Sequence, residues 1–197
     1  MTILYLVRHG KTDHSGHRLC GNIPGIHLNQ TGRDQADNIA SFFEKIPIKS
    51  IYTSPVERAI ETVLPTAKQK LLTVEKVEYL REIDFGDYQG KGEELQRDPL
   101  WNAFLTVPTS IIFPNGETVA QAQQRVVKGL NEICVDSPDD EEIMCVAHCE
   151  ILRMAIAHAL NIPLDEYMRL TVDTGSISKA MWTEGHQKVI FLNHSPY

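Results

Sequence analysis

Residues 3–7 read Ile-Leu-Tyr-Leu-Val without a polar break and stop at Arg8-His9-Gly10. A strand with one wet face alternates apolar with polar residues, so an unbroken run of this kind belongs to a strand covered on both faces, as in the parallel sheets of α/β proteins. The run then leaves the sheet into a polar loop that begins with two basic side chains. A second run at residues 143–147 (Ile-Met-Cys-Val-Ala) ends directly on His148 and passes into a helical pattern with Leu152, Ala155, Ile156 and Ala159 on one face. Two buried-type strands, each delivering a histidine at its carboxyl end, point to an α/β chain.

The remaining elements fit between these two. Thr31 can cap a helix in which Ala36, Ile39, Ala40 and Phe43 recur at helical spacing. Residues 50–53 form a short strand, and Ser54-Pro55-Val56-Glu57 reads as a helix start with Ser as N-cap, Pro at the first position and Glu at the third. Arg58 then falls in that helix's first turn. Pro65 is expected to end or kink it, and residues 72–79 contain another strand. No long period survives from residue 85 to 114, where Pro99, Pro108 and Pro114 punctuate short segments carrying Trp101, Phe104 and Phe113. This stretch, residues 85–116, is expected to be an inserted lid. A helix follows from about Glu117, with Val119, Ala122, Val126, Leu130 and Ile133 on one face, until the Ser137-Pro138-Asp139-Asp140 loop stops it. Residues 178–182 and 188–192, joined through a Gly185 turn, close the chain as a pair of strands. The expected fold is a three-layer α/β/α sandwich with a mostly parallel central sheet, and residues 1–197 are expected to form a single domain with that lid.

Composition narrows the function classes. With 42% hydrophobic and 23% charged residues and a mean hydropathy of -0.22, the chain has material for a core and too much of it for general disorder. A net charge of -7 disfavours nucleic acid and anionic membrane as partners held by bulk charge, while leaving room for a local basic pocket. The amino-terminal apolar run has no basic segment before it and breaks at Arg8, too early for a signal peptide or a span, so a cytoplasmic location is expected. Cys20, Cys134, Cys145 and Cys149 contain no C-x-x-C pair, which argues for reduced thiols over a zinc ribbon or a disulfide scaffold. Asp13, His14, His17 and His27 lack a recognised ligand spacing, so no metal and no cofactor is expected. A homo-oligomer is compatible with everything in the sequence.

Three strand ends now present Arg8 with His9, Arg58 just inside a helix, and His148 at the start of another. Open α/β sheets bind ligands at such carboxyl ends. Two guanidiniums and two imidazoles make a cationic cup, and arginine forks match phosphate oxygens, so a phosphoryl group is the expected ligand. Taken singly, Arg8-His9 would be an ordinary polar loop, Arg58 a surface cation, His148 a satisfied buried histidine and Glu82 a solvated carboxylate. Their order along one chain changes that reading.

The segments Leu-Val-Arg8-His9-Gly10-x-Thr12, Pro24-Gly25-x-His27-Leu28-x-x-x-Gly32-x-x-Gln35-Ala36, Ser54-Pro55-x-x-Arg58-Ala59, Arg81-Glu82-x-x-Phe85-Gly86 and Ala147-His148 together resemble the histidine phosphatase superfamily, in its phosphoglycerate-mutase-like branch. The resemblance spans nearly the whole chain. It implies that His9 is the nucleophile and passes through a phosphohistidine, with Arg8, Arg58 and His148 holding the phosphoryl oxygens. It further implies Glu82 as the acid that protonates the leaving alkoxide, a role its apolar neighbours Ile83 and Phe85 would favour by keeping it protonated. The backbone N–H of Cys149, at a helix N-terminus, can add a phosphate donor. Cys149 stands where the family usually has Gly, Lys11 where it often has Glu, and Ser15 and Cys20 near positions where some members contact phosphate through amides. Arg33 and Arg153 read as structural.

The expected activity is metal-independent hydrolysis of a small phosphorylated metabolite. The alternatives are a phosphomutase of the phosphoglycerate type and a phosphate-binding module without catalysis. A chain stopping at Tyr197 favours phosphatase over mutase, and the presence of His9, Arg8, Arg58, Glu82 and His148 together weighs against a non-catalytic module.

Overall fold

The computed structural model describes residues 1–137 and 140–196. Strand β1 (Thr2–Arg8) lies at the centre of a six-stranded sheet and is followed by helix α1 (Gln30–Phe42), strand β2 (Ile48–Thr53), helix α2 (Glu57–Lys70) and strand β3 (Val74–Lys76). Helix α3 (Pro99–Thr106), helix α4 (Val119–Val135), strand β4 (Glu142–Ala147), helix α5 (Cys149–Ala159), and strands β5 (Ile177–Thr183) and β6 (His186–His194) complete it. The spatial order is β3-β2-β4-β1-β5-β6, parallel from β3 to β1 and antiparallel at β5 and β6.

Alternation along β1 explains the layers, because successive side chains of a strand point to opposite faces. Leu4 and Leu6 enter the core under α4, α5 and the 80–113 segment, while Tyr5 and Val7 pack with Ile39 of α1, Phe43 at its C-cap, and Ala59 and Val63 of α2. Helices therefore cover both faces of the sheet, as expected. The two uninterrupted apolar runs, β1 and β4, are adjacent and in register, with Arg8 beside Ala147. His9 and His148 consequently leave the same edge of the sheet side by side.

Several local expectations are corrected. Asn29, not Thr31, caps α1: its backbone is extended (φ -81, ψ -176) and its side chain accepts from the Gly32 amide at 3.0 Å. Helix α2 begins at Glu57 with Val56 in the cap position and no side-chain cap, three residues after Ser54. The helix also continues past Pro65 to Lys70. Its buried face, Ala59, Thr62, Val63, Thr66 and Ala67, is held against the core on both sides of the proline, and that packing outweighs the missing hydrogen bond. The strand expected within 72–79 shrinks to three residues and gives way to a 3₁₀ turn at Glu78–Leu80.

The segment expected to be an irregular lid contains a helix. Asp98 accepts from the Trp101 amide at 2.9 Å and Pro99 opens α3, a start signal of the kind that Ser54-Pro55 only imitates. Asp98 also receives the Tyr88 hydroxyl (2.9 and 3.0 Å), tying α3 to the 3₁₀ turn Gly86–Tyr88. Phe85, Trp101, Phe104 and Phe113 form one aromatic cluster, with Phe104 and Phe113 centroids 5.0 Å apart and Phe85 edge-on to both. Helix α4 starts two residues later than expected, from a Thr118–Gln121 capping box, and ends at Val135. Pro138 and Asp139, in the loop expected to stop it, lie outside the described residues.

Candidate active site

His9 sits just past the end of β1, 7% exposed. Its Nδ1 lies 2.7 Å from the Gly10 carbonyl, an acceptor only, so the proton is assigned to Nδ1 and the lone pair to Nε2. Arg58 Nε–H donates to that Nε2 at 3.2 Å. Burial, then the Arg58 and Arg8 charges, hold the His9 imidazole well below its ordinary pKa, so it is neutral. Desolvation is the largest of these causes.

The loop after His9 is held by close backbone contact. A Cβ on Gly10 would lie 2.6 Å from the Gly32 carbonyl, and one on Gly32 would lie 2.1 Å from that of Lys11, so both positions require glycine. Thr62 of α2 accepts the Gly10 amide (2.9 Å) and Gln35 of α1 accepts the Lys11 amide (2.8 Å). Helices on one face of the sheet thereby fix the loop that carries the nucleophile candidate.

Arg58 is 2% exposed and reaches across the strand ends. Its Nη2 donates to the Gly21 carbonyl at 2.7 Å and faces His148 Nδ1 at 3.1 Å, while Nη1 is buried with no partner. Arg8 donates through Nη1 to the Val172 carbonyl at 2.7 Å and likewise leaves a buried Nε unpartnered. Two guanidinium N–H groups withdrawn from water and left unpaired cost free energy unless a ligand takes them.

His148 is fully buried, its ring centroid 5.1 Å from that of His9. An arginine can only donate, so Nδ1 accepts and Nε2–H donates to the Ser54 hydroxyl at 2.7 Å. Ser54 Oγ also accepts the Val56 amide, at a longer 3.5 Å. Its sequence signature as an N-cap hid the contact with His148, and only the adjacency of β2 and β4 reveals it.

Glu82 is 8% exposed, on the loop between β3 and the lid. Its carboxylate accepts from the amides of Ile83 (3.1 Å), Glu150 (3.3 Å) and Ile151 (3.3 Å), and so docks on the first turn of α5. Burial, followed by the Glu150 charge, raises its pKa to about 7 against the pull of those amides and Arg58. Its backbone carbonyl is anchored by Asn22 Nδ2 at 2.9 Å.

A cleft of about 550 Å³ joins Arg8, His9, Arg58 and Glu82 to Ser15, Cys20, Cys149, Glu150 and Arg153, with Phe85, Trp101, Leu105 and Met168 among its apolar lining. Ser15 reaches the cleft with its hydroxyl committed to the Thr12 amide (3.0 Å) and hydroxyl (3.1 Å), so it shapes the loop. Cys149 opens α5, and burial pushes its thiol up to about 12. Arg33 donates to the Leu28 carbonyl (2.7 Å) and Arg153 pairs with Glu150 (2.9 Å), both structural contacts, though Arg153 also lines the cleft. His27 is drawn away to Glu61 and Asp13 to Asn29; among the described residues no cluster of three or more His, Cys, Asp or Glu is placed to hold a metal ion. The sequence reading missed Ser54, Thr62 and Glu150 as residues of the site.

The model of the histidine phosphatase superfamily (branch 1) matches residues 4–195. The chain belongs to this superfamily. Among its histidine phosphatase relatives, a bifunctional protein of Mycobacterium tuberculosis is 30% identical over 200 residues, covering 100% of this chain and 55% of that protein. The chain thus spans about half the length of that relative. Phosphoserine phosphatase 1 of Hydrogenobacter thermophilus is 27% identical over 199 residues, 98% of this chain and 92% of that one. The solved structure of YhfR from Bacillus stearothermophilus superposes with a TM-score of 0.89 at 29% identity, covering 96% of each chain. Among the described residues no helix is long and apolar enough to cross a membrane.

Proposed function

We propose that this histidine phosphatase hydrolyses a small phosphorylated metabolite through a phosphohistidine on His9, without a metal ion. The observation that carries the reading is the pair of buried, unpartnered guanidinium N–H groups, Arg8 Nε and Arg58 Nη1, beside a neutral imidazole whose lone pair is on Nε2. A phosphoryl group entering the cup satisfies those donors and draws Arg58 off the lone pair. Nε2 then attacks phosphorus, the P–O bond to the alcohol breaks, and Glu82 gives its proton to the leaving oxygen. In the second half, Glu82 takes a proton from water as the water oxygen attacks phosphorus, and the N–P bond breaks to release inorganic phosphate.

His148 and Ser54 supply the adjustable part. Once phosphate draws Arg58 away, His148 can present an N–H to an oxygen only by moving its proton to Nδ1. The Ser54 hydroxyl permits this because it both accepts and donates, turning its own hydrogen toward the vacated Nε2. The Cys149 amide, at the α5 N-terminus, is a further phosphate donor in this reading. Residues 1–197 act as one catalytic domain whose 85–116 segment walls the alcohol, and the phosphoserine phosphatase likeness supports a small metabolite as substrate. Four free cysteines fit the reducing cytoplasm.

The test is turnover of para-nitrophenyl phosphate and of phosphoserine in the presence of EDTA. Phosphate release unchanged by the chelator is expected. Loss of turnover that added metal restores would overturn the metal-independent reading, and isomerisation of 3-phosphoglycerate without phosphate release would make the protein a mutase.

A further inference from the structure

Glu150 is a second carboxylate in the cleft, and phosphoryl binding does not need it. It lies on the first turn of α5, 15% exposed at its side chain, with one oxygen on Arg153 (2.9 Å), the other, Oε2, buried, and the Tyr167 hydroxyl close beside the carboxylate. The Glu82 carboxylate rests on the amide of this same residue at 3.3 Å. The two acids are thus mounted on one turn of helix, both facing the cavity that receives the alcohol. Among the described residues, the other titratable groups that interact with Glu82 include Arg58 from α2, Cys20 from the loop after β1, Cys149 from α5 and Tyr167 from the Leu164–Arg169 turn, while Arg125 of α4 touches its backbone carbonyl and Arg8, His9 and Arg153 line the same cleft. The Arg58 charge favours the carboxylate form of Glu82, and the Glu150 charge opposes it. Two like charges in a shared low-dielectric site are not both carried, so one proton is retained.

We propose that Glu150 is the positioning residue that keeps Glu82 in its proton-donating form, so that esters of poor leaving groups are hydrolysed at neutral pH. The retained proton is placed on Glu82, the more deeply buried of the two acids, while the Arg153 contact offsets part of the charge that Glu150 sets against it. The amides of Glu150 and Ile151 and the Arg58 charge would otherwise favour the carboxylate and leave the acid spent. The desolvation and like-charge effects described for Glu82 agree with this placement.

The inference rests on Glu82 being the general acid, and the experiment separates the two claims. The pH profile of kcat/KM is measured for an alkyl ester, β-glycerophosphate, and for para-nitrophenyl phosphate, whose leaving group needs no proton. In wild type the alkyl profile should fall on a basic limb as Glu82 deprotonates. Glu150→Gln should move that limb about one pH unit lower, roughly a tenfold loss above the limb, with the aryl profile unmoved. Glu150→Asp, which keeps the charge, should restore it. Arg153→Met removes the cation that offsets Glu150 and should move the limb the other way, to higher pH, an effect that loss of folding cannot imitate. An alkyl limb unmoved in both Glu150→Gln and Arg153→Met, or moved equally for the aryl ester, overturns the role of Glu150. Should Glu150→Gln not fold, the direction of the Arg153→Met shift decides alone. A limb that survives in Glu82→Gln overturns the parent reading of Glu82 instead.

Discussion

The two ends of the cleft are built differently. At the phosphoryl end, His9, Arg58 and His148 are 7%, 2% and 0% exposed, stand on or just beyond strand ends, and are cross-linked by Arg58 with Ser54 behind. At the alcohol end, Glu82 hangs from a loop, and the walls come from the 85–116 segment and the Leu164–Arg169 turn. Under the proposed function, chemistry common to all phosphomonoesters falls on the rigid sheet edge, while the part that must suit one alcohol falls where sequence can vary without disturbing the sheet. Variants at the first end should therefore lose rate on every substrate, and variants at the second should discriminate between substrates.

The largest effect is expected at His9. His9→Ala should lose at least about 10⁴-fold in kcat on alkyl and aryl esters alike, with the far-UV circular dichroism unchanged. A variant retaining a tenth of wild-type turnover would remove His9 from the chemistry. Arg58→Ala should cost about 2.7–4 kcal/mol of transition-state stabilisation, by the scale of a lost oxyanion donor, again equally on both substrates. Substrate-dependent losses there would break the division between the two ends.

Glu82→Gln sharpens the comparison from the other side. Its loss should be severe on β-glycerophosphate and slight on para-nitrophenyl phosphate, since a nitrophenolate leaves unprotonated. Equal losses in kcat/KM would move the acid elsewhere, with Asp84 and Asp87 on the same loop the next candidates. Ser54→Ala should slow both substrates by about tenfold, because the His148 proton loses its relay and a buried imidazole nitrogen loses its partner. Wild-type rates in that variant would make the hydroxyl a bystander.

The smallest effect concerns stability. His9 and His148 are neutral in the folded protein well below the pH at which they protonate in the unfolded chain. The unfolded state therefore binds more protons as pH falls below about 6.5, and stability should decline there. Thermal unfolding of wild type and His9→Ala between pH 7.5 and 5.5 checks this; the variant's Tm should fall less steeply, and parallel slopes would contradict it.

The juxtaposition of Arg8, His9 and His148 was legible in the sequence because they sit at the ends of unbroken apolar runs, where period alone locates strand and loop. Arg8, His9, Arg58, Glu82 and His148 all meet in one cleft or directly behind it. What escaped depended on neighbours far along the chain. Ser54 has the local chemistry of an N-cap, and its true partner is 94 residues away on the adjacent strand. Glu150 carries no signal in the sequence, because its tie to Glu82 arises only when the loop bearing Glu82 folds onto its amide. Helix α3 was hidden by prolines read as interruptions, although Asp98-Pro99 carried the start signal, and α2 ran through Pro65 because tertiary packing overrode a local breaker.

Phosphoryl transfer through His9 is tested most directly by rapid acid quench of the enzyme with ³²P-labelled substrate, followed by chemical stability and peptide mapping of the label. The expected result is a transient phosphoenzyme that is labile in acid, stable in base, maps to the peptide containing His9 and is absent from His9→Ala. An acid-stable label, or one that persists in His9→Ala, would contradict a phosphohistidine at the end of β1.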